Sequence, residues 1–140
     1  TTEIYTLSLH DALPILIMDD FVRVVKALAD QNRLRIVHLL QGRKLCVCEL
    51  AYVLGITQPS VSKHLKKLIQ AGIVQREQAS FWSDYFLSGD SVCSAPIIAC
   101  LKQWFRDSAA LKADLVRLKR TDRRKLCSHH KRGGKYYGTE

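Results

Sequence analysis

Two cysteines one residue apart, Cys46 and Cys48, carry the most pointed chemistry in this chain. Thiolates are soft ligands and select soft ions such as As(III), Sb(III), Cd(II), Pb(II) or Zn(II). Sulfurs at i and i+2 reach one ion where the backbone between them is extended. On a regular helix they stand roughly 200° apart and do not. Chelation at this pair should therefore distort the start of any helix that begins here. A helix N-terminus nearby, together with Lys44, should favour the thiolates. The cysteine count is five, and cysteines next but one to each other are poorly placed to bond. A reducing cytoplasm suits such a set better than a secreted disulfide framework.

The pattern that follows the pair must position it. Leu50, Val53 and Leu54 recur at helical spacing up to Gly55, which can end the helix. Thr57 is then the N-cap of a second helix, with Pro59 in its first turn. That helix runs to about Ala71, with Gly72 past its end. At about 100° per residue, Val61, Leu65 and Leu68 share one narrow face. Ser60, Lys63, Lys66, Lys67 and Gln70 fall opposite. Alone, such a face is as compatible with a solvated surface helix as with a major groove. The tight turn before it and the hairpin after it favour a helix-turn-helix on DNA.

Upstream, Asp19 or Asp20 caps a first helix with Phe21, Val24, Val25 and Leu28 as its apolar members. Asp30 caps a second, with Leu34, Val37 and Leu40 turned inward and Gly42 beyond it; His38 on that helix receives no role. Downstream, residues 73–78 and 81–87 read as strands of a hairpin that turns near Ala79 and Ser80. Pro96 opens a long helix on which Ile97, Leu101, Trp104, Ser108, Leu111, Leu115 and Leu118 form a heptad seam interrupted once, at Ser108. So long a stripe predicts packing against a second copy of the chain as well as over its own core. From Arg117 onward the composition is basic with little apolar content, which predicts a flexible tail over 119–140 that adds phosphate affinity.

The length of 140 residues suits one domain, expected over 18–118. Residues 1–17 read as a non-native segment, because Thr1 to Ile15 matches the in-frame translation of a sequencing-library adaptor and Met18 is the one methionine. The net charge of +9, from 22 Lys and Arg against 13 Asp and Glu, favours polyanions. No apolar run approaches the roughly 20 residues of a membrane span, so nucleic acid is preferred to a membrane. There is no Cys-x-x-Cys, no Gly-rich phosphate loop and no plausible carboxylate pair. Catalysis is not expected.

Three stretches resemble, in order and at family spacing, the ArsR/SmtB family of winged-helix repressors. They are Ala27 to Val37, Cys46-Val47-Cys48-Glu49-Leu50, and Thr57-Gln58-Pro59-Ser60-Val61-Ser62-Lys63-His64-Leu65. The Cys-Val-Cys run is similar to the arsenic-sensing branch. The resemblance implies a mainly α, winged helix-turn-helix fold with a small β-hairpin, dimerising through its terminal helices. It also implies a homodimer that holds double-stranded operator DNA and lets go when As(III) or Sb(III) binds Cys46 and Cys48, with no permanent cofactor. Gln58, Ser60, Ser62 and His64 are the candidates for base edges, and Lys63, Lys66, Lys67 and Arg76 for phosphates. Ser80 stands where the family generally has Gly, and Asp84 where Arg or Lys is common, so Asp84 is expected to repel phosphates. Arsenite prefers three sulfurs. Ala51 stands where many relatives carry the third, which leaves Cys127 (with His129 and His130 nearby), Cys100 and Cys93, in that order. Cys100 is expected to be a packed core residue. The zinc-sensing branch is disfavoured, because no His lies between Pro96 and Arg120. A thiol redox switch and a Cd/Pb sensor of the same fold are the alternatives.

Overall fold

Helix boundaries fall where a side chain or a left-handed residue can close them. The computed structural model describes residues 17–89 and 94–128. Helix α1 occupies residues 17–28 and α2 runs Gln31–Leu40. Asp30 separates them: its carboxylate accepts the Arg33 N–H at 3.0 Å and satisfies one orphan donor of the first turn of α2. The buried Arg33 side chain donates to the Ala27 carbonyl at the end of α1. Helices α3 (Val47–Leu54) and α4 (Gln58–Gln70) form the helix-turn-helix. Gly55 turns the chain between them at φ +69°, a conformation that costs little without a Cβ. Thr57 caps α4, its hydroxyl oxygen accepting the Ser60 N–H at 3.3 Å. At the far end Gly72 has φ +74°, and Ile73 N–H reaches the Leu68 carbonyl at 3.0 Å, closing the helix in a Schellman turn.

The wing follows directly. Strands β1 (Val74–Ala79) and β2 (Trp82–Leu87) pair antiparallel, with Val74 opposite Leu87 and Ala79 opposite Trp82. Ser80 makes the turn at φ +46°. A short bridge joins Leu45 to Tyr85, each N–H donating to the other's carbonyl at 3.1 and 2.8 Å. The residue before Cys46 is thereby tied to the hairpin. Helices α5 (Ser94–Trp104), α6 (Ala109–Lys119) and α7 (Arg123–Ser128) complete the described chain. One core joins Ile36, Val37 and Leu39 of α2, Leu50 and Val53 of α3, Val61, Leu65 and Leu68 of α4, and Ile73 and Val74 beyond them. The apolar face read for α4 is the face that is buried. Asp114 of α6 is buried too, gripped by Arg35 of α2 through two bonds of 2.7 and 2.8 Å.

The architecture is the expected one, mainly helical with one two-stranded hairpin in winged helix-turn-helix order. Four expectations change. Asp19 and Asp20 lie inside α1 and are not its caps. On α1 the buried residues are Val24, Ala27 and Leu28, while Phe21 and Val25 are 49% and 44% exposed. The long terminal helix is two helices: the heptad spacing continues across a break at residues 105–108, where Ser108 is the N-cap of α6. Finally, part of the segment expected as a flexible tail is α7, packed beside α3; residues 1–16, 90–93 and 129–140 lie outside the described ones. No helix among the described residues is long and apolar enough to cross a membrane.

Candidate functional site

Cys46 is the N-cap of α3, with extended backbone at φ −93° and ψ 167°, and Cys48 sits in the helix's first turn. The pair therefore straddles the helix start, and its sulfurs come together without unwinding anything. Glu49 fixes the arrangement by accepting the Cys46 N–H at 3.0 Å, as the N3 carboxylate of a capping box does. The third sulfur is that of Cys127 on α7, 3.6 Å from Cys46 Sγ. All three ligand atoms lie within 4.8 Å of one another. Sulfurs bound at about 2.3 Å to a zinc-sized ion stand roughly 3.8 Å apart, so closure requires shifts of about an ångström. Cys100 is exposed and stands apart from this cluster, contrary to its expected place in the core. Cys93, His129 and His130 lie outside the described residues.

The three thiols differ in acidity. A hydrogen bond toward the Cys48 sulfur, together with burial, pushes the Cys46 thiol well above the ordinary range. The same bond, received by Cys48, holds that thiol below it. Cys127 is pushed up to about 11, by burial first and by the neighbouring Cys46 second. Lys44 does not assist: its ammonium is 2.7 Å from Glu77 and lies over the Phe86 ring, 4.7 Å from the centroid. The cation beside the sulfurs is Arg123, which sequence reasoning left in the tail. It bonds both Glu49 and Asp84. Asp84 is consequently buried and paired, so it does not face phosphates as expected. The capping-box spacing Cys46-x-x-Glu49 was the signal for Glu49; nothing in the basic run marked Arg123.

The helix-turn-helix candidates separate into two groups. Ser62, Lys63, Lys66 and Lys67 are exposed along α4, and Arg76 is exposed on β1, where its Nε donates to Ser83 Oγ at 3.0 Å. The others turn toward the protein. Gln58 donates its amide N–H to Cys48 Sγ at 3.6 Å. Ser60 Oγ shares a 2.9 Å hydrogen bond with Thr57 Oγ1 in the cap. His64 is mostly covered and points its Nδ1 at Asp30, 3.8 Å away.

Comparison with known proteins fits this arrangement. Residues 30–76 match the family described as bacterial regulatory proteins of the arsR family. The chain is 44% identical over 68 residues to the arsenical resistance operon repressor of Bacillus subtilis (strain 168), covering 48% of this chain and 65% of that one. It is 37% identical over 70 residues to an uncharacterized HTH-type transcriptional regulator of Methanocaldococcus jannaschii, covering 49% and 79%. The homodimeric winged helix-turn-helix DNA-binding domain Mb0332 of Mycobacterium bovis superposes with a TM-score of 0.59 at 26% identity, over 68% of this chain and 86% of that one. The match spans 65%, 51% and 60% of the lengths of three curated relatives, two named for arsenic resistance regulation and one as a putative repressor of this kind.

Proposed function

The chain belongs to the arsR family of bacterial regulatory proteins, and on that premise we propose that it is a metalloid-responsive transcriptional repressor. A homodimer holds operator DNA and releases it when arsenite or antimonite takes the sulfurs of Cys46, Cys48 and Cys127. One observation carries this reading: three thiols converge at the N-terminus of α3, and one of them touches the first residue of the DNA-reading helix. Arsenite supplies a thiophilic centre that exchanges hydroxyls for sulfur, each thiol proton leaving with a hydroxyl as water. Cys48, the most acidic of the three thiols, is the readiest nucleophile. Gln58 donates to that same sulfur in the free protein. Exchange of S–H for S–As redirects the lone pairs of Cys48 and draws its sulfur toward the ligand, so binding breaks the Gln58 contact and releases the first turn of α4. Coupling then needs no unwinding of α3; it requires two hydrogen-bonding states of one contact, which both ligands bias.

On the DNA side, Ser62 and the freed or anchored Gln58 read base edges, while Lys63, Lys66, Lys67 and Arg76 take phosphates. His64 acts through its contact with Asp30 and not at a base. Dimerisation is supported by exposed apolar residues on the terminal helices, namely Met18, Phe21, Val22 and Val25 on α1 with Leu115 and Val116 on α6. The working unit includes α7. A second reading, a thiol redox switch, draws on the 3.6 Å approach of Cys46 and Cys127, which two-electron oxidation by a peroxide would join as a disulfide with release of water. Operator selected from a randomised duplex pool, bound to the full chain and followed by anisotropy, separates the readings. Release by arsenite at concentrations where peroxide has no effect supports the first. Release by peroxide alone supports the second, and release by cadmium alone assigns the sulfurs to a soft divalent ion.

A further inference from the structure

Helix α7 has six residues, none of them buried, and a helix of that length is not stable alone in water. Arg123 holds it. Its Nη2 lies 2.8 Å from Glu49 Oε2 and 2.7 Å from Asp84 Oδ1, and its Nε reaches Glu49 Oε2 at 3.1 Å. Longer bonds of 3.4 Å run to Asp84 Oδ2 and to the Lys44 carbonyl. The guanidinium also stacks on Trp82, 5.4 Å from the ring centroid. Both carboxylates are buried, Glu49 at 2% exposure and Asp84 at 7%. The two come from different elements, α3 and β2, and the fork geometry of a guanidinium can serve both at once. Arg123 and Cys127 are four residues apart, so they share one face of α7. Clamping the first therefore aims the second at Cys46. Glu49 Oε2 closes the circuit, since it accepts the Cys46 N–H as well.

We propose that Arg123 is the positioning residue of the sulfur site: by bridging Glu49 on α3 and Asp84 on the wing, it seats Cys127 against Cys46 and links occupancy of the three sulfurs to the β-hairpin. The proposal rests on the arsenite reading and deepens it. The Leu45–Tyr85 bridge lies beside this clamp, so the hairpin is attached to the site on both sides, through backbone next to Cys46 and through Asp84 next to Tyr85.

The test is a double-mutant cycle in the full chain with arsenite as the probe. Arsenite affinity and the number of sulfurs around arsenic, from X-ray absorption, are measured for wild type, Arg123→Ala, Cys127→Ser and the double variant. Hydrogen exchange of the hairpin amides is followed with and without arsenite. Arg123→Ala should lower arsenite affinity by about tenfold or more, the range typical when the partners that orient metal ligands are removed. It should reduce the sulfur count from three to two, and adding Cys127→Ser should cost nothing further. In wild type, arsenite should slow exchange in β2; in Arg123→Ala it should not. Arg123→Lys keeps the charge without the fork, and it serves if the alanine variant does not fold, with the same non-additivity and a smaller loss. Three sulfurs retained in the Arg123 variants, additive losses, or unchanged exchange in the wild-type hairpin would overturn the proposal. A wild-type chain that binds no arsenite would overturn the arsenite reading beneath it.

Discussion

At the scale of single residues, the proposed function draws on three chemically identical thiols that their surroundings make unequal. Cys48 receives the hydrogen bond that Cys46 gives, so one thiol is acidified at the expense of the other, while burial keeps Cys127 protonated to about 11. A consequence separates two classes of ligand. Arsenite carries off each thiol proton with its own hydroxyl, so its equilibrium affinity should change little between pH 6 and 8 (about the physiological window in which a group of pKa near 11 stays protonated). Cadmium must expel the protons of Cys46 and Cys127, so its affinity should rise as pH rises, by about tenfold per pH unit for each proton released. Competition titrations across that range measure both slopes. A cadmium affinity independent of pH, with an arsenite affinity that falls as pH rises, would mean that the thiols are already ionised. A second expectation concerns Ser80, whose φ of +46° is unfavourable for a residue with a Cβ. Ser80→Gly should stabilise the fold by about 1 kcal/mol, read from the midpoint of chemical denaturation, with no change in arsenite affinity.

At the scale of elements, the sequence is most legible where a helix ends by local chemistry. Asp30, Gly55, Thr57 and Gly72 announce their roles, and α2, α3 and α4 begin and end beside them. It is less legible where a pattern tolerates two structures. Apolar spacing of four and three runs from Ile97 to Leu118 without registering the break at residues 105–108, because Ser108 serves equally as a polar gap in a seam or as a cap. Helix α7 is harder still. It is held by a guanidinium and two carboxylates, and composition alone makes such a segment a solvated tail. Asp84 misleads for the same reason, since its partner is 39 residues away. The sulfur pair was readable, whereas the nearness of Cys127 to it depends on α7, which the sequence pattern did not announce. Among the element contacts, the Arg35–Asp114 pair joins α2 to α6. Asp114 is 2% exposed, so Asp114→Ala leaves Arg35 without its carboxylate and should cost about 3 kcal/mol of folding stability. Denaturant unfolding checks this; a cost below about 1 kcal/mol, the range of exposed pairs, would mean that α6 is held by its leucines alone.

At the scale of the whole molecule, the proposed function has a +9 chain meet a polyanion through one helix face and one hairpin. Lys67→Ala should weaken all duplexes alike and lower the salt slope by about one unit, whereas Ser62→Ala should relax preference among sequences. A Lys67→Ala variant that changed the preferred operator would show that α4 is rotated in the groove relative to this account. In the proposed function affinity is shared over many such contacts, while its regulation converges on the N-terminus of α3. The most direct measurement is therefore the operator affinity of the wild-type chain and of a Cys46→Ser/Cys48→Ser chain, each with and without arsenite, by anisotropy. Both should bind closely alike in its absence. Arsenite should weaken the wild type by about tenfold or more, within the usual span of allosteric coupling, and leave the double variant bound. Release of the double variant to the same extent as the wild type would contradict the account.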